Sequence, residues 1–113
     1  MTDKTVKKVS SHTSPQGSMG QKYLVSGTKM SMRLWEEAPG PLTPQPTKRE
    51  YETLGYVVQG RAKLELEGQT VDLEEGDSWL VPKNSVHRYQ ILEPFVAVES
   101  TCPPARIHER DAK

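Results

Sequence analysis

Few side chains in this chain of 113 residues can do acid–base, metal or nucleophilic chemistry near neutral pH. There are three histidines, His12, His87 and His108, and one cysteine, Cys102. A single thiol excludes an internal disulfide and a cysteine-based zinc cage. Nothing near Cys102 in sequence would make it a nucleophile, so an inert thiol is expected. His12 and His108 lie among polar residues near the two ends and read as surface residues. His87 remains, able to donate a hydrogen bond or act as a base near neutral pH. Arg49 is the second candidate. A guanidinium in a partly apolar cup binds a carboxylate or phosphate through two parallel hydrogen bonds. Thr47, Arg49, Tyr51 and Thr53 share parity, so an extended chain turns all four to one side and Glu50 and Glu52 to the other. Tyr89 shares parity with His87, and Tyr51 or Tyr89 could supply a hydroxyl. These residues together would suit a small anion or carboxylated metabolite. The plainer alternatives are a structural ion pair or a solvated rim position for Arg49, and a hydrogen-bonded structural imidazole for His87.

The elements that must position these groups read as strands. Met30, Met32 and Leu34 alternate with Ser31, Arg33 and Trp35, and Ala62, Leu64 and Leu66 alternate with Lys63, Glu65 and Glu67. That is the period of two of a half-buried strand. Further short strands are expected over Tyr23–Val25, Tyr51–Val58, Val71–Leu73, Ser78–Val81, His87–Leu92 and Phe95–Thr101. Met30, Met32 and Trp79 are expected in the core, and Trp35 on an outer sheet face or a dimer contact. Pro39, Gly40, Pro41, Pro44 and Pro46 make 38–47 a loop. About eight strands separated by turns predict an all-β sandwich or barrel. No segment has the pattern of a useful amphipathic helix, so a helix-turn-helix is unsupported. Lysine plus arginine total 15 and aspartate plus glutamate total 15. That balance gives no general reason to bind nucleic acid or an anionic membrane. No apolar run approaches the ~18 residues of a membrane helix, and Met1–Gly20 lacks the apolar region of a secretory signal. A cytoplasmic protein is expected. The expected organisation is a flexible N-terminal tail over 1–20, one β-barrel domain over 21–104, and a polar tail over 105–113.

Two segments carry a resemblance to the cupin superfamily, in its small single-domain form. In Gly76-Asp77-Ser78-Trp79-Leu80-Val81-Pro82-Lys83-Asn84-Ser85-Val86-His87, three residues fall on the spacing of the second cupin motif: Gly76, Pro82 and His87. Asn84 replaces a motif glycine, a mild change because Asn tolerates a left-handed backbone. Ile91 replaces the final asparagine. The end of the first motif, Gly55-Tyr56-Val57-Val58-Gln59-Gly60, also fits. Counting back from Gly60 puts Thr53 at the motif glutamate, and either Thr47 and Arg49 or Pro46 and Lys48 at its two histidines. The resemblance implies an antiparallel jelly-roll β-barrel, with Thr47, Arg49, Tyr51, Thr53, His87 and Tyr89 turned into it.

The resemblance also frames the activity. A cupin metal site would use three histidines and a glutamate, and only His87 stands at such a position here. Threonine hydroxyls are poor ligands and arginine is a permanent cation. A divalent metal (Fe, Mn, Ni or Zn) is therefore disfavoured, unless the register brings Glu52 inward or His12 or His108 reaches the site. Three functions follow. A small anionic or carboxylated metabolite could bind in the barrel beside a degenerate metal site. A cupin enzyme could work without metal, like the cupin sugar epimerases, through His87 as base and Tyr51 or Tyr89 as acid; metal-dependent lyase or dioxygenase chemistry would need His87 to hold a metal. A filled barrel could serve only as a scaffold. Cupins commonly pair through sheet edges, so a homodimer is expected.

Overall fold

A computed structural model describes residues 6–14, 21–42 and 46–104. Its regular elements are eight strands: β1 (Gln21–Ser26), β2 (Ser31–Glu37), β3 (Glu52–Gln59), β4 (Arg61–Leu66), β5 (Gln69–Glu74), β6 (Ser78–Val81), β7 (His87–Ile91) and β8 (Phe95–Cys102). All ladders are antiparallel, in a five-stranded sheet of order β1-β2-β8-β3-β6 and a three-stranded sheet of order β5-β4-β7. The two sheets form a jelly-roll, as the resemblance implies, within the all-β sandwich or barrel that the alternation and turn spacing anticipate. The expected C-terminal tail, with His108, lies outside the described residues, and the expected N-terminal tail lies partly outside them. His12 is exposed.

Local chemistry sets the strand joints. β4 and β5 meet at a two-residue turn, with Leu66 opposite Gln69. Glu67 and Gly68 both have positive φ there, 46° and 82°. That is the type I′ geometry whose twist matches a hairpin. Between the sheets lies a core of Trp35, Val57, Ala62, Leu64, Leu73, Trp79, Val81, Ile91, Phe95 and Ala97. The Trp35 ring meets Tyr89 and Phe95 edge-on at 4.8 and 5.1 Å between centroids. Edge-to-face contacts of this kind add to the area they bury. Trp79 lies against β3 where Gly55 leaves space: a Cβ on Gly55 would stand 2.3 Å from the indole.

Strand β2 faces the opposite way from expectation. Trp35 is buried, whereas Met30 and Met32 are 54% and 37% exposed. The apolar count on β2 favours the methionine face, but the register sets Trp35 opposite Ala97, an inward position of β8. Because side chains alternate strictly, one inward ring turns Met32 and Leu34 outward. Trp79 occupies the core as expected.

Candidate functional site

The interior changes character along each strand. On β8 the inward, buried series runs Phe95, Ala97, Glu99, Thr101. On β2 it runs Trp35, Arg33, Ser31, and on β3 Val57, Gly55, Thr53. The ladders align these series, so Arg33 and Gly55 flank Glu99, and Ser31 and Thr53 flank Thr101. One end of the barrel is therefore apolar and the other polar. Ser31 Oγ and Thr101 Oγ1 share a hydrogen bond of 2.8 Å. Arg33 Nε donates to Glu99 Oε1 at 2.8 Å, and Arg33 Nη1 donates to the Tyr51 hydroxyl at 3.2 Å. The Arg33 and Glu99 side chains are only 11% and 4% exposed. Two opposite charges taken this far out of water need each other, because either alone would carry a large desolvation cost.

The segment before β3 is tied to the other sheet. Thr47 and His87 form an isolated antiparallel bridge, with Thr47 N donating to His87 O at 2.8 Å and His87 N donating to Thr47 O at 2.9 Å. Asn84 N donates to Arg49 O at 2.9 Å. Asn84 itself has φ 62°, the left-handed backbone that a motif glycine would otherwise supply. These bonds bring Thr47 and Arg49 beside His87. Its ring Nδ1 lies 3.0 Å from the Ser85 carbonyl, so Nδ1 must carry the hydrogen and donate. Nε2 is then the acceptor in the neutral ring, 3.5 Å from Thr47 Oγ1. Burial lowers the His87 pKa from its ordinary 6.5. The Ser85 hydrogen bond and Glu99 oppose that shift, while the Arg49 and Arg33 charges reinforce it. The imidazole is held neutral, with its lone pair on Nε2.

Each residue expected in the site can now be placed. Thr47 and Arg49 are half-buried beside His87; Tyr51, Thr53 and His87 are buried. Glu50 and Glu52 are exposed, as parity requires. Tyr89 points inward, but its hydroxyl accepts from Trp79 Nε1 at 3.1 Å. Burial, and then the charge on Glu99, pushes its pKa well above the usual tyrosine range. Tyr89 thus stands between the apolar and polar ends, with its ring 5.8 Å from that of His87. Sequence reasoning missed Arg33, Glu99, Ser31 and Thr101. The signal for Glu99 and Thr101 was present, since they share parity with Phe95 and Ala97. For Arg33 and Ser31 the only signal was Trp35, outweighed by the two methionines.

The cupin domain family matches residues 33–100, more than half of the chain. The chain is a cupin. Similar solved structures include KdgF from Halomonas sp., at 25% identity and a TM-score of 0.75, covering 88% of this chain and 94% of that one. An RmlC-like cupin from Shewanella frigidimarina has 16% identity and a TM-score of 0.75, covering 91% and 95%. The nucleoside dehydratase Pac13 has 19% identity and a TM-score of 0.73, covering 88% and 84%. A comparison with curated proteins finds no match.

In this cupin the residues at the metal-ligand positions do not suit a divalent cation. Among the described residues, no three His, Cys, Asp or Glu side chains gather to hold one. Among the described residues His87 is the only imidazole in this interior, the buried carboxylate Glu99 is engaged by Arg33, and a second guanidinium stands beside His87. A cation placed there would meet positive charge where the family pattern supplies histidines.

Proposed function

We propose that this cupin binds a small anionic or carboxylated metabolite at the polar end of its barrel, with Arg49 as the charged anchor and Thr47, Thr53 and His87 around it. One arrangement carries the reading: the bonds from Asn84 N to Arg49 O and between Thr47 and His87 set Arg49 beside a buried imidazole, and Glu99, the only buried carboxylate among the described residues, is already paired with Arg33. With Arg33 and Glu99 balancing one another, the Arg49 charge favours a negative ligand. A guanidinium in low dielectric binds a carboxylate or phosphate far better than it would in water. His87 offers Nε2 as an acceptor, so it suits a ligand hydroxyl near the anionic group rather than the anion itself.

A thermal-shift screen of small carboxylates and sugar phosphates tests the reading, followed by titration of any hit against Arg49→Met. The expected result is saturable binding that the variant loses while its unfolding transition is kept. Equal affinity in the variant sinks the assignment of Arg49.

A second reading rests on the His87 tautomer. With Nδ1–H fixed on Ser85, Nε2 is placed as a general base for metal-independent proton transfer. Tyr51 is the better acid of the two tyrosines. Its hydroxyl accepts from the Arg33 guanidinium, whereas burial and the Glu99 charge raise the pKa of Tyr89. Solvent-deuterium exchange into a bound ligand, lost in His87→Gln but with affinity kept, is the outcome this reading expects.

A further inference from the structure

The peptide group that orients the His87 ring has a second partner. The Ser85 carbonyl facing Nδ1 and the Val86 N–H belong to one planar amide. Val86 N donates to Glu67 Oε2, and Glu67 N donates to Val86 O at 2.9 Å. The ladder explains why a side chain takes part. Leu66 lies opposite His87, so Glu67 falls opposite Val86, where an antiparallel pair would exchange two backbone bonds. Glu67 has φ 46° because the chain is already turning into the β4–β5 hairpin, and its carboxylate takes the Val86 N–H instead. A left-handed position in such a turn favours Asn, Asp or Gly. Glutamate there needs a further reason, and the bond to Val86 supplies one.

We propose that Glu67 is a positioning residue for His87: its carboxylate holds the Ser85–Val86 peptide, and that peptide fixes which ring nitrogen faces the barrel interior. An anion accepting from an amide N–H polarises the amide and makes its carbonyl a stronger acceptor. The Ser85 oxygen thereby keeps its hold on Nδ1–H, and the lone pair stays on Nε2, 3.5 Å from Thr47 Oγ1. The other anchors of this loop act one residue earlier. Ser85 N and Oγ both donate to Pro82 O, at 3.2 and 2.6 Å. They place Ser85, whereas Glu67 grips the peptide that follows it. The consequence is selectivity. A ring carrying its hydrogen on Nε2 would present a donor where the site now presents an acceptor, and would favour the anionic group over a hydroxyl beside it. This role rests on His87 lining the proposed site, but it is read on the imidazole without ligand. It can therefore fail while Arg49 still binds an anion, and hold where Arg49 does not.

Nitrogen NMR of the full chain, labelled in histidine and held at a pH where imidazoles are neutral, tests this on three proteins. Glu67→Gly removes the carboxylate at a position where glycine is at home, so the hairpin and the melting temperature should be kept. Glu67→Gln leaves an amide oxygen able to accept the same bond. The wild type should show the His87 hydrogen on Nδ1 alone. In Glu67→Gly a form with the hydrogen on Nε2 should appear, and Nδ1–H should exchange with solvent at least about fivefold faster. Glu67→Gln should stay near the wild type. A wild-type ring with its hydrogen on Nε2, a ring unchanged in Glu67→Gly, or a Gln variant as loose as the Gly variant each overturns the proposal. Should the glycine variant not fold, the wild type still decides through scalar couplings across hydrogen bonds. They are expected from the Val86 nitrogen to the Glu67 carboxyl carbon and from His87 Nδ1 to the Ser85 carbonyl carbon, and the absence of either overturns the relay.

Discussion

The two ends of this barrel are built from the same strands but are stabilised by different physics. At the apolar end Phe95, Ala97, Val57 and Trp35 interlock around aromatic contacts, and their free energy comes from area removed from water. At the polar end Glu99, Tyr51, Ser31 and Thr101 are also buried, with Arg33 nearly so, but they are held by directed bonds. Apolar packing tolerates small shape changes and degrades gradually, whereas a buried ion pair fails abruptly when one member is removed. The lesson is a division of labour within a single fold. The floor supplies net stability; the polar end is specific and electrostatically tuned, and it depends on the floor to stay in place.

Four measurements would sharpen or break that contrast. The largest effect is expected at the floor: Phe95→Ala should cost about 3–5 kcal/mol in urea unfolding. A loss below about 1 kcal/mol would mean the aromatic cluster is not the main support. Next comes Glu99→Ala, which leaves Arg33 charged and buried and should cost about 3 kcal/mol. The double change Arg33→Met/Glu99→Leu should recover most of that loss. If the double variant is as unstable as the single one, the cost is one of packing and not of charge. Arg49→Met, at a half-buried position, should change stability by no more than about 1 kcal/mol while removing anion affinity.

The last effect is a pH dependence. His87 has a folded pKa below its unfolded value of 6.5, so between those two values the unfolded chain binds more protons. Stability should therefore rise with pH across that window and fall as the solution is acidified below 6.5, until the folded-state pKa is passed. In His87→Asn this contribution should vanish from a series of melting temperatures against pH. An unchanged pH profile in that variant would falsify the neutral, buried state of the ring.

Much of the fold was legible in the chain. Eight strands follow from alternation of apolar and polar residues and from turn chemistry at Glu67-Gly68 and Glu75-Gly76-Asp77, since both signals are local. The inward turn of Tyr51 and Thr53 at the start of β3 was also legible, because they share parity with Thr47 and Arg49 and the resemblance points that side into the barrel. Strand β2 was not. It carries apolar residues at both parities, Met32 and Leu34 on one and Trp35 on the other, and a short strand with two plausible faces does not choose between them.

The sequence by itself determined the class of structure, the family and the candidates Arg49 and His87, because strand period, turn residues and motif spacing are properties of neighbours along the chain. Tertiary structure alone decided what stands against those candidates. The pairing of β2 with β8 brought Arg33 and Glu99, 66 positions apart, to 2.8 Å. The bridge from Thr47 to His87 set Arg49 beside an imidazole that burial keeps neutral. Register between distant strands depends on which face the whole core can bury. That is a sum over all strands at once, and no single segment carries it.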